Sequence, residues 1–212
     1  MFEGFPPAAF AWFEGLEADN AKAYFTATRP VYDRDVRGAL TALLEELQEP
    51  FGGEVRVFRQ QRNLRFSADR TPYKTRTYGV LAGPTLYAEI SARGLYAGTG
   101  YHGLDREQLE RYRAAVLDDA AGADLEARVA AVEAAGMEVA GASLKTAPRG
   151  IARDHPRIAL LRRRALFAGA SLAGSPGIGR DASLAHVERA WTAAMPLTEW
   201  LDDYVGPGAP RS

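Results

Sequence analysis

The chain has 212 residues, 47% hydrophobic and 10% aromatic, which fits one globular domain with a sizeable core and excludes collagen-like, coiled-coil and disordered classes. It contains no cysteine, which excludes disulfides, thiolate metal sites and a cysteine nucleophile, and its three histidines would leave a zinc site dependent on carboxylates. The formal net charge of −1 by itself argues against a nucleic-acid-binding protein.

The first fifty residues carry apolar side chains at helical spacing. We predict a helix over residues 8–17, directly after two prolines that suit a helix start. Asp19 and Asn20 can cap the next helix, which we expect over residues 21–28. Pro30 opens or kinks a third helix, whose apolar stripe extends to about residue 48.

From residue 55 the pattern changes to an alternation with a period of two, which is typical of strands. Val55 and Val57 share one face of a predicted strand, and Leu64 and Phe66 share one face of the next. The segment from Ser67 to Thr77 contains a proline and several turn-forming residues, and we expect an ordered loop there.

A predicted hairpin follows this loop. Residues 85–91 alternate along a strand, Gly94 makes a turn, and residues 95–101 return as a second strand, which indicates an antiparallel sheet. The alternation in the first strand places Leu86, Ala88 and Ile90 on one face and Tyr87, Glu89 and Ser91 on the other.

The glycines around this turn allow a functional interpretation. Glycine within a strand can mark a bulge or the close approach of another backbone, including a ligand that lies on the sheet. Gly98-Thr99-Gly100 lacks the third glycine of a dinucleotide-binding fingerprint, and its context is a hairpin instead of a strand-to-helix turn.

The second half of the chain is mostly helical. Asp105 and Gln108 resemble a capping box, which predicts a helix to about residue 118. The remaining predicted elements are a helix over residues 123–135, a short strand over 137–141, a helix from Pro156 to about Leu166, and a final helix that Ser183 caps, that Pro196 interrupts and that ends at about Tyr204.

Helices at both ends and strands in the middle predict the α+β class. We expect a central, mostly antiparallel sheet with helices from the N- and C-terminal thirds packed around it, in one domain over residues 1–205 with a flexible tail over 206–212. The N-terminal residues lack the basic and apolar regions of a secretory signal, and no apolar stretch approaches the roughly 18 residues of a membrane helix. We therefore expect a cytoplasmic protein with no membrane partner.

The positive charges are concentrated in two segments, residues 55–78 and residues 145–164. Each segment contains seven basic residues and one acidic residue, although the chain as a whole has 26 basic and 27 acidic residues. Such clusters indicate anion-binding patches, or else solvated faces that form salt bridges with the acidic helices. Two of the three lysines, Lys74 and Lys145, lie in these two basic stretches.

The first basic stretch contains the densest set of candidate ligand-binding residues. Arginine forks and a lysine point charge suit a phosphate or a carboxylate, although the glycine-rich run of a phosphate-binding loop is absent. Asp69 has a structural interpretation, in which it bonds to its own turn or pairs with a neighbouring arginine. The candidate ligand-binding residues here are Arg62, Arg65, Ser67, Tyr73 and Lys74.

The second basic stretch adds Lys145 and Arg149 as candidate ligand-binding residues. Asp154 and His155 lie just before a predicted helix, where an acceptor can satisfy free backbone N–H groups, and we expect a structural or capping role for Asp154. His155 is the candidate catalytic acid or base if the protein is an enzyme. The spacing of histidines and carboxylates matches no metal site, so we expect no metal and no cofactor.

Residues 65–75 read Arg-Phe-Ser-Ala-Asp-Arg-Thr-Pro-Tyr-Lys-Thr, and this block resembles the hallmark of an uncharacterised family of conserved hypothetical proteins, domain of unknown function 2461. The resemblance extends over roughly residues 2–205. Asn63 stands where the family tends to carry aspartate, and Arg70 stands where it tends to carry lysine. The resemblance implies an α+β domain and no established activity.

Three functions are compatible with the sequence. The first is a pocket for a small phosphorylated or carboxylated ligand, on which the two basic stretches converge. The second is a scaffold or interaction domain, in which the basic stretches form internal salt bridges. The third is a nucleic-acid-binding module, in which arginines neutralise phosphates and neighbouring aromatic rings stack on bases.

Overall fold

The computed structural model describes residues 1–63, 70–83 and 85–208, and its fold is α+β, as predicted. The helices are α1 (Pro7–Ala18), α2 (Lys22–Val31), α3 (Ala39–Phe51), α4 (Arg106–Leu117), α5 (Asp119–Ala134), α6 (Ile158–Leu161) and α7 (Arg180–Tyr204), with a π-helical segment (Tyr32–Gly38) between α2 and α3. The strands are β1 (Gly4–Phe5), β2 (Glu54–Val57), β3 (Arg76–Ala82), β4 (Leu86–Ser91), β5 (Gly94–Tyr101), β6 (Glu138–Ala140), β7 (Leu166–Ala173) and β8 (Ile178–Gly179).

Six strands form an antiparallel sheet in the order β2-β3-β4-β5-β7-β6, and β1 pairs separately with β8. The predicted hairpin is confirmed, since β4 and β5 are hydrogen-bonded neighbours joined by a short turn. The predicted strand at Val55 and Val57 is also confirmed, as β2. The predicted strand at Leu64 and Phe66 lies outside the described residues.

The chain divides into two compact units. The first consists of Met1–Ala97 and Ser171–Arg189, and the second consists of Gly98–Ala170 and Ala190–Ser212. The single domain expected over residues 1–205 stays a prediction.

The core of the first unit forms between α3 and one face of the strands β2 to β4. The leucines of α3 are buried, and the buried positions of β3 and β4 alternate as expected for strands with one covered face. The opposite face of β3 and β4 carries the half-buried side chains of Tyr78, Tyr87 and Glu89 and the exposed side chain of Arg76. Burial of the apolar positions therefore fixes which side chains this second face presents.

The predicted cap of α2 by Asp19 and Asn20 is wrong. Ala21 occupies the cap position, and no side chain bonds to the free N–H groups. Asn20 instead bonds to both backbone groups of Tyr73: its Nδ2 donates to the carbonyl (3.1 Å), and its Oδ1 accepts from the N–H (3.0 Å). This pair of bonds ties the connection between α1 and α2 to the segment that precedes β3.

Pro30 lies inside α2 and has no N–H to donate, so the regular hydrogen-bond ladder is broken just before the π-helical segment. The helix nevertheless continues into α3 without a loop. The sequence left two possibilities at Pro30, the start of a new helix or the distortion of a continuous one. The structure shows a continuous helix that is distorted after Pro30. The apolar stripe predicted to about residue 48 continues to Phe51.

Two helix starts in the second unit follow from local sequence. Asp105 and Gln108 form the predicted capping box at the start of α4, with both reciprocal bonds present. Helix α5 begins four residues earlier than predicted because the carboxylate of Asp118 accepts hydrogen bonds from the N–H groups of Ala120 and Ala121.

The predicted helix from Pro156 to Leu166 is wrong. Helix α6 covers Ile158–Leu161 alone, and the chain then enters strand β7 at Leu166. This strand lies between β5 and β6, and two of its three buried residues are Ala168 and Gly169, which give little strand signal in the sequence.

The final helix, α7, runs without interruption through Pro196, contrary to the prediction. Ser183 does not cap it; the Ser183 hydroxyl lies within the helix and donates to the carbonyl of Gly179 (2.9 Å). Within residues 1–63, 70–83 and 85–208, no helix combines the length and the apolar character needed to span a bilayer.

The core of the second unit is built around Trp200, which is fully buried. Its indole Nε1 donates to the carbonyl of Ala121 (3.0 Å), and its ring makes an edge contact with Tyr112 (centroids 6.0 Å apart). The first residues of the expected flexible tail are held: Gly206 and Pro207 accept hydrogen bonds from side chains of α4.

Candidate functional site

The first unit contains a cavity of about 730 Å³ on the face of β3 and β4 that faces away from α3. We call it the basic cavity, because its lining includes four cationic side chains and only two carboxylates, which leaves an excess of positive charge. Its lining residues are Glu17, Arg62, Asn63, Lys74, Thr75, Arg76, Tyr78, Glu89, Ser91, Arg93, Gly94, Leu95, Tyr96 and Ser171.

Two of the four cations come from neighbouring segments of the first basic stretch. Gln61 and Tyr73 form an antiparallel bridge, flanked by backbone hydrogen bonds from Arg62 to Pro72 (2.9 Å) and from Lys74 to Gln60 (3.0 Å). This pairing brings Arg62 and Lys74 to the same cavity although twelve residues separate them in sequence.

The other two cations come from the ends of the β3–β4–β5 meander. Arg76 is the first residue of β3 and pairs in register with Ser91, the last residue of β4. Arg93 lies in the turn between β4 and β5. The antiparallel register therefore brings Arg76 and Arg93 to the same edge of the cavity.

The Lys74 ammonium is held in place by two contacts. Its Nζ donates to the carbonyl of Arg59 (2.6 Å) and lies 4.6 Å from the centroid of the Tyr78 ring. These two contacts fix the position of the Lys74 ammonium group at the cavity wall.

Tyr73 has a different environment from the one expected for a ligand-binding residue. Its side chain is 7% exposed and stacks on Phe25 with ring centroids 4.4 Å apart. Its carbonyl accepts a hydrogen bond from Nε of Arg62 (2.9 Å). Tyr73 thus anchors the segment and orients Arg62.

Glu89 is a carboxylate among the cations. It lies opposite Tyr78 in the β3–β4 register, its side chain is 16% exposed, and its Oε2 accepts a hydrogen bond from the Tyr87 hydroxyl. Arg76 Nε lies 3.4 Å from the same oxygen. Burial raises the pKa of the Glu89 carboxyl above its ordinary value, although the hydrogen bond from Tyr87 and the charges of Arg76 and Arg93 oppose this shift.

A row of aromatic rings crosses this face of the sheet. The ring centroids of Phe58 and Tyr78 are 4.8 Å apart, those of Tyr78 and Tyr87 are 5.6 Å apart, and those of Tyr87 and Tyr96 are 6.1 Å apart. Tyr78 and Tyr96 line the basic cavity. Burial and the charge of Glu89 raise the pKa of the Tyr87 hydroxyl, so this group remains a hydrogen-bond donor at neutral pH.

Of the five ligand-binding residues proposed in the first basic stretch, Arg62 and Lys74 line the basic cavity, whereas Tyr73 is buried and is not one of its lining residues. Arg65 and Ser67, together with the structural candidate Asp69, lie outside the described residues.

Sequence reasoning did not select Arg76, Glu89 or Arg93 as site residues. The alternation over residues 85–91 places Glu89 on the face opposite the apolar positions. This placement is the one feature of the sequence that could have indicated Glu89 as a site residue. Strand β3, which supplies Arg76, was not predicted, because two of its three buried positions are Thr77 and Gly79, which weaken the alternation of apolar side chains.

The second basic stretch lies in the second unit. Lys145 and Arg149 are exposed. His155 has a structural contact: its Nδ1 accepts a hydrogen bond from the N–H of Arg157 (3.0 Å). Arg157, not Asp154, stands at the N-cap of α6, and no side chain caps that helix. The convergence of the two basic stretches on one site stays a prediction.

Arg157 is bound within the second unit. Its guanidinium pairs with Glu126 (Nε to Oε2, 2.8 Å) and donates to the carbonyls of Val116 and Asp118 at the junction of α4 and α5. This arginine therefore contributes to the internal structure of the unit.

The glycines near the hairpin serve the packing of strands. At Gly94, φ is +136°, and a Cβ would lie 2.0 Å from the carbonyl oxygen of Leu172. At Gly100, a Cβ would lie 2.5 Å from Cα of Phe167. The close approach of a neighbouring backbone accounts for both glycines, so neither is a signal for a ligand on the sheet.

In the described part of the chain, no group of three or more histidine, aspartate or glutamate side chains is arranged to hold a metal ion. The side chains that line the basic cavity supply guanidinium forks, an ammonium, two carboxylates and hydroxyl groups.

The model of a family described as a conserved hypothetical protein (DUF2461) matches residues 8–200, which is most of the chain. The chain belongs to this family, in agreement with the resemblance seen in residues 65–75. A comparison with curated proteins finds no match. The family description contains no activity, so a functional assignment depends on the site itself.

Proposed function

We propose that this member of the family binds a small phosphorylated or carboxylated ligand in the basic cavity. The observation that carries the proposal is the presence of four cationic side chains, Arg62, Lys74, Arg76 and Arg93, in the lining of one cavity. Guanidinium forks and a lysine ammonium together match the geometry and the charge of phosphate and carboxylate groups.

The size of the cavity supports a small ligand. Its volume of about 730 Å³ falls within the range of roughly 300 to 1,000 Å³ that small-molecule sites occupy. Its lining combines charged groups with the rings of Tyr78 and Tyr96, which is a common composition for a site that binds an organic anion.

The alternative of a scaffold with internal salt bridges receives less support. Such a protein would bury its basic residues against acidic helices, whereas most of the described basic residues in the two stretches are exposed. The exposed residues are Arg56, Arg59, Arg70, Arg76, Lys145, Arg149, Arg153 and Arg164.

A nucleic-acid-binding module remains the second candidate. Proteins bind single-stranded nucleic acids with aromatic rings that stack on the bases and with neighbouring cationic side chains that neutralise the phosphates, often on an open sheet face. The row from Phe58 to Tyr96 beside Lys74 and Arg76 favours this candidate. The acidic segments of the rest of the chain count against it.

The proposal is tested by calorimetric titration of the protein with inorganic phosphate, pyrophosphate and citrate at low salt. We expect at least one of these anions to bind, and we expect Lys74→Met and Arg93→Gln each to weaken its affinity by about tenfold, as expected when a charge-assisted hydrogen bond is lost. Met retains the length of the lysine side chain and removes its charge.

The matched control is Arg106→Gln, which removes an equally charged side chain from an exposed ion pair on α4. We expect this variant to bind as the wild type does. If none of the three anions binds, or if all three variants weaken binding equally, the basic cavity is not the binding site and the proposal is wrong.

A further inference from the structure

Glu89 restricts which anions the basic cavity can accommodate. An ionised carboxylate is purely a hydrogen-bond acceptor, and it repels the oxygen atoms of a fully ionised anion. A ligand that extends from the four cations to Glu89 must therefore carry a hydrogen-bond donor, such as a hydroxyl group, as well as its negative charge. A second carboxylate, Glu17, also lines the cavity and makes the same demand.

The dimensions and the charge of the cavity agree with a ligand of this kind. A volume of about 730 Å³ is much larger than a single tetrahedral anion needs, so the ligand has a second part. The four cations and two carboxylates of the lining leave two positive charges in excess. A phosphate monoester, with a charge of roughly −1.5 to −2 at neutral pH, matches this excess better than a monocarboxylate does.

The rest of the lining fits a hydroxylated carbon skeleton. Asn63, Thr75, Ser91 and Ser171 offer side chains that both donate and accept hydrogen bonds, as hydroxyl groups of a ligand do. The Tyr78 and Tyr96 rings add apolar surface for C–H groups. Tyr87 and Arg76 hold Glu89 in position, because the Tyr87 hydroxyl donates a hydrogen bond to its Oε2 and the Arg76 guanidinium forms an ion pair with the same oxygen.

We infer that the ligand of the basic cavity is the phosphate monoester of a polyhydroxylated compound, that its phosphate lies among Arg62, Lys74, Arg76 and Arg93, and that one of its hydroxyl groups donates a hydrogen bond to Glu89. This inference rests on the proposed function. A free sugar phosphate and the ribose phosphate of a nucleotide share this chemistry.

The first test compares two phosphate monoesters of similar size on the wild-type protein. Glycerol 3-phosphate carries two hydroxyl groups, and n-propyl phosphate carries none. We expect glycerol 3-phosphate to bind about tenfold more tightly or better, since a hydrogen bond to a charged group has that effect on affinity. Equal affinities overturn the inference and leave the proposed anion site intact. If neither ester binds, the inference is overturned, and the proposed function is lost as well if phosphate, pyrophosphate and citrate also fail to bind.

The second test uses Glu89→Gln, which keeps the shape of the side chain and replaces the carboxylate with an amide. We expect this variant to lose most of the preference for glycerol 3-phosphate over n-propyl phosphate. If this variant still prefers glycerol 3-phosphate as strongly as the wild type does, Glu89 does not accept the hydrogen bond from the ligand hydroxyl group and the inference is wrong. Because both ligands are titrated on the same variant, a change in the stability of the fold affects the two affinities alike and does not alter the preference between them.

The source of the hydroxylated phosphate is distinguished by titration with ribose 5-phosphate and with adenosine 5′-monophosphate. Tighter binding of the sugar phosphate indicates a free sugar or polyol phosphate, and tighter binding of the nucleotide indicates that the base also contacts the site. Either result supports the inference. Binding of both compounds no more tightly than n-propyl phosphate overturns it.

Discussion

At the scale of single residues, Glu89 and its partners form the most constrained part of the site. The Tyr87 hydroxyl and the Arg76 guanidinium both reach Oε2 of Glu89, while burial removes the carboxylate from water. Burial is the largest influence on the pKa of Glu89 and raises it, so the two partners offset only part of the cost of desolvation. A buried carboxylate in this state disfavours the folded protein when it is ionised.

The stability of the protein should therefore respond to pH through Glu89. A raised pKa in the folded state means that the unfolded chain loses this proton first, at pH values above its ordinary pKa of 4.5. The stability associated with the protonated form is fully present below that value and is lost as the pH rises through the higher pKa of the folded state. We expect the free energy of unfolding of the wild type to fall relative to that of Glu89→Gln over this range.

This pH dependence is measured by urea denaturation of both proteins from about pH 4 to about pH 8. The difference between the two proteins cancels the contributions of the other titrating groups, provided that these are the same in both. A constant difference, or one that favours the wild type as the pH rises, would contradict the raised pKa.

At the scale of elements, the turn from β4 into β5 depends on Gly94. Its φ of +136° is unfavourable for any residue with a side chain, and an added Cβ would collide with the backbone of Leu172. We expect Gly94→Ala to lower the free energy of unfolding by about 2 kcal/mol or more, because backbone strain and overpacking add. Because Arg93 precedes this glycine, the substitution should also weaken anion binding.

Gly103→Ala is the matched control for Gly94→Ala. A Cβ at Gly103 meets open space, so we expect a change within about 0.5 kcal/mol, as for most surface substitutions. Chemical denaturation of both variants checks the pair. Similar losses in the free energy of unfolding for the two variants would show that the close contact between Gly94 and Leu172 does not determine the effect of the substitution.

The capping box at the start of α4 gives a second prediction for an element. Asp105→Ala removes the acceptor for the Gln108 N–H, and we expect a loss of about 1 kcal/mol in the free energy of unfolding. Glu110→Ala, which breaks an exposed ion pair with Arg106 on the same helix, should cost less than about 0.5 kcal/mol. Urea denaturation distinguishes these values, and an equal effect of the two substitutions would contradict the capping role.

Elements determined by local signals were predictable from the sequence. The capping box of α4 involves residues three positions apart, and the β4–β5 hairpin involves neighbouring strands. Strand β7 was not predictable, because its inner residues are small and its partners β5 and β6 are distant in sequence. Asn20 was misassigned for the same reason, since the backbone to which it binds lies 53 residues away.

The candidate site likewise contains residues that a local sequence pattern indicates and residues that only the pairing of strands brings together. Arg62 and Lys74 were identified from charge density, and both line the basic cavity. The contact between Arg76 and Glu89 depends on the register of β3 against β4, which no local pattern specifies. The contribution of Arg93 likewise depends on where the turn directs its side chain.

At the scale of the whole molecule, the net charge of −1 conceals a strongly uneven distribution. Arg62, Lys74 and Arg76 of the first basic stretch line the basic cavity, while the segments before and after this stretch in sequence are acidic. This uneven distribution is the reason why we propose a small anion, and not a polyanion, as the ligand.

We therefore expect a single-stranded oligonucleotide of about 20 residues to bind no more tightly than a nucleoside monophosphate. Fluorescence anisotropy at low and at moderate salt measures this, because binding to a nucleic acid backbone weakens steeply as salt increases. Tight binding of the oligonucleotide with such a salt dependence would favour the nucleic-acid-binding function over the small-ligand pocket.

The most direct test of the anion site is a crystal structure of the protein grown with glycerol 3-phosphate at saturating concentration. We expect electron density for the ester in the basic cavity, with its phosphate oxygens within hydrogen-bond distance of Lys74 Nζ and the Arg76 guanidinium. A cavity without the ester, in crystals that hold it elsewhere or not at all, would contradict the assignment of this cavity as the ligand site.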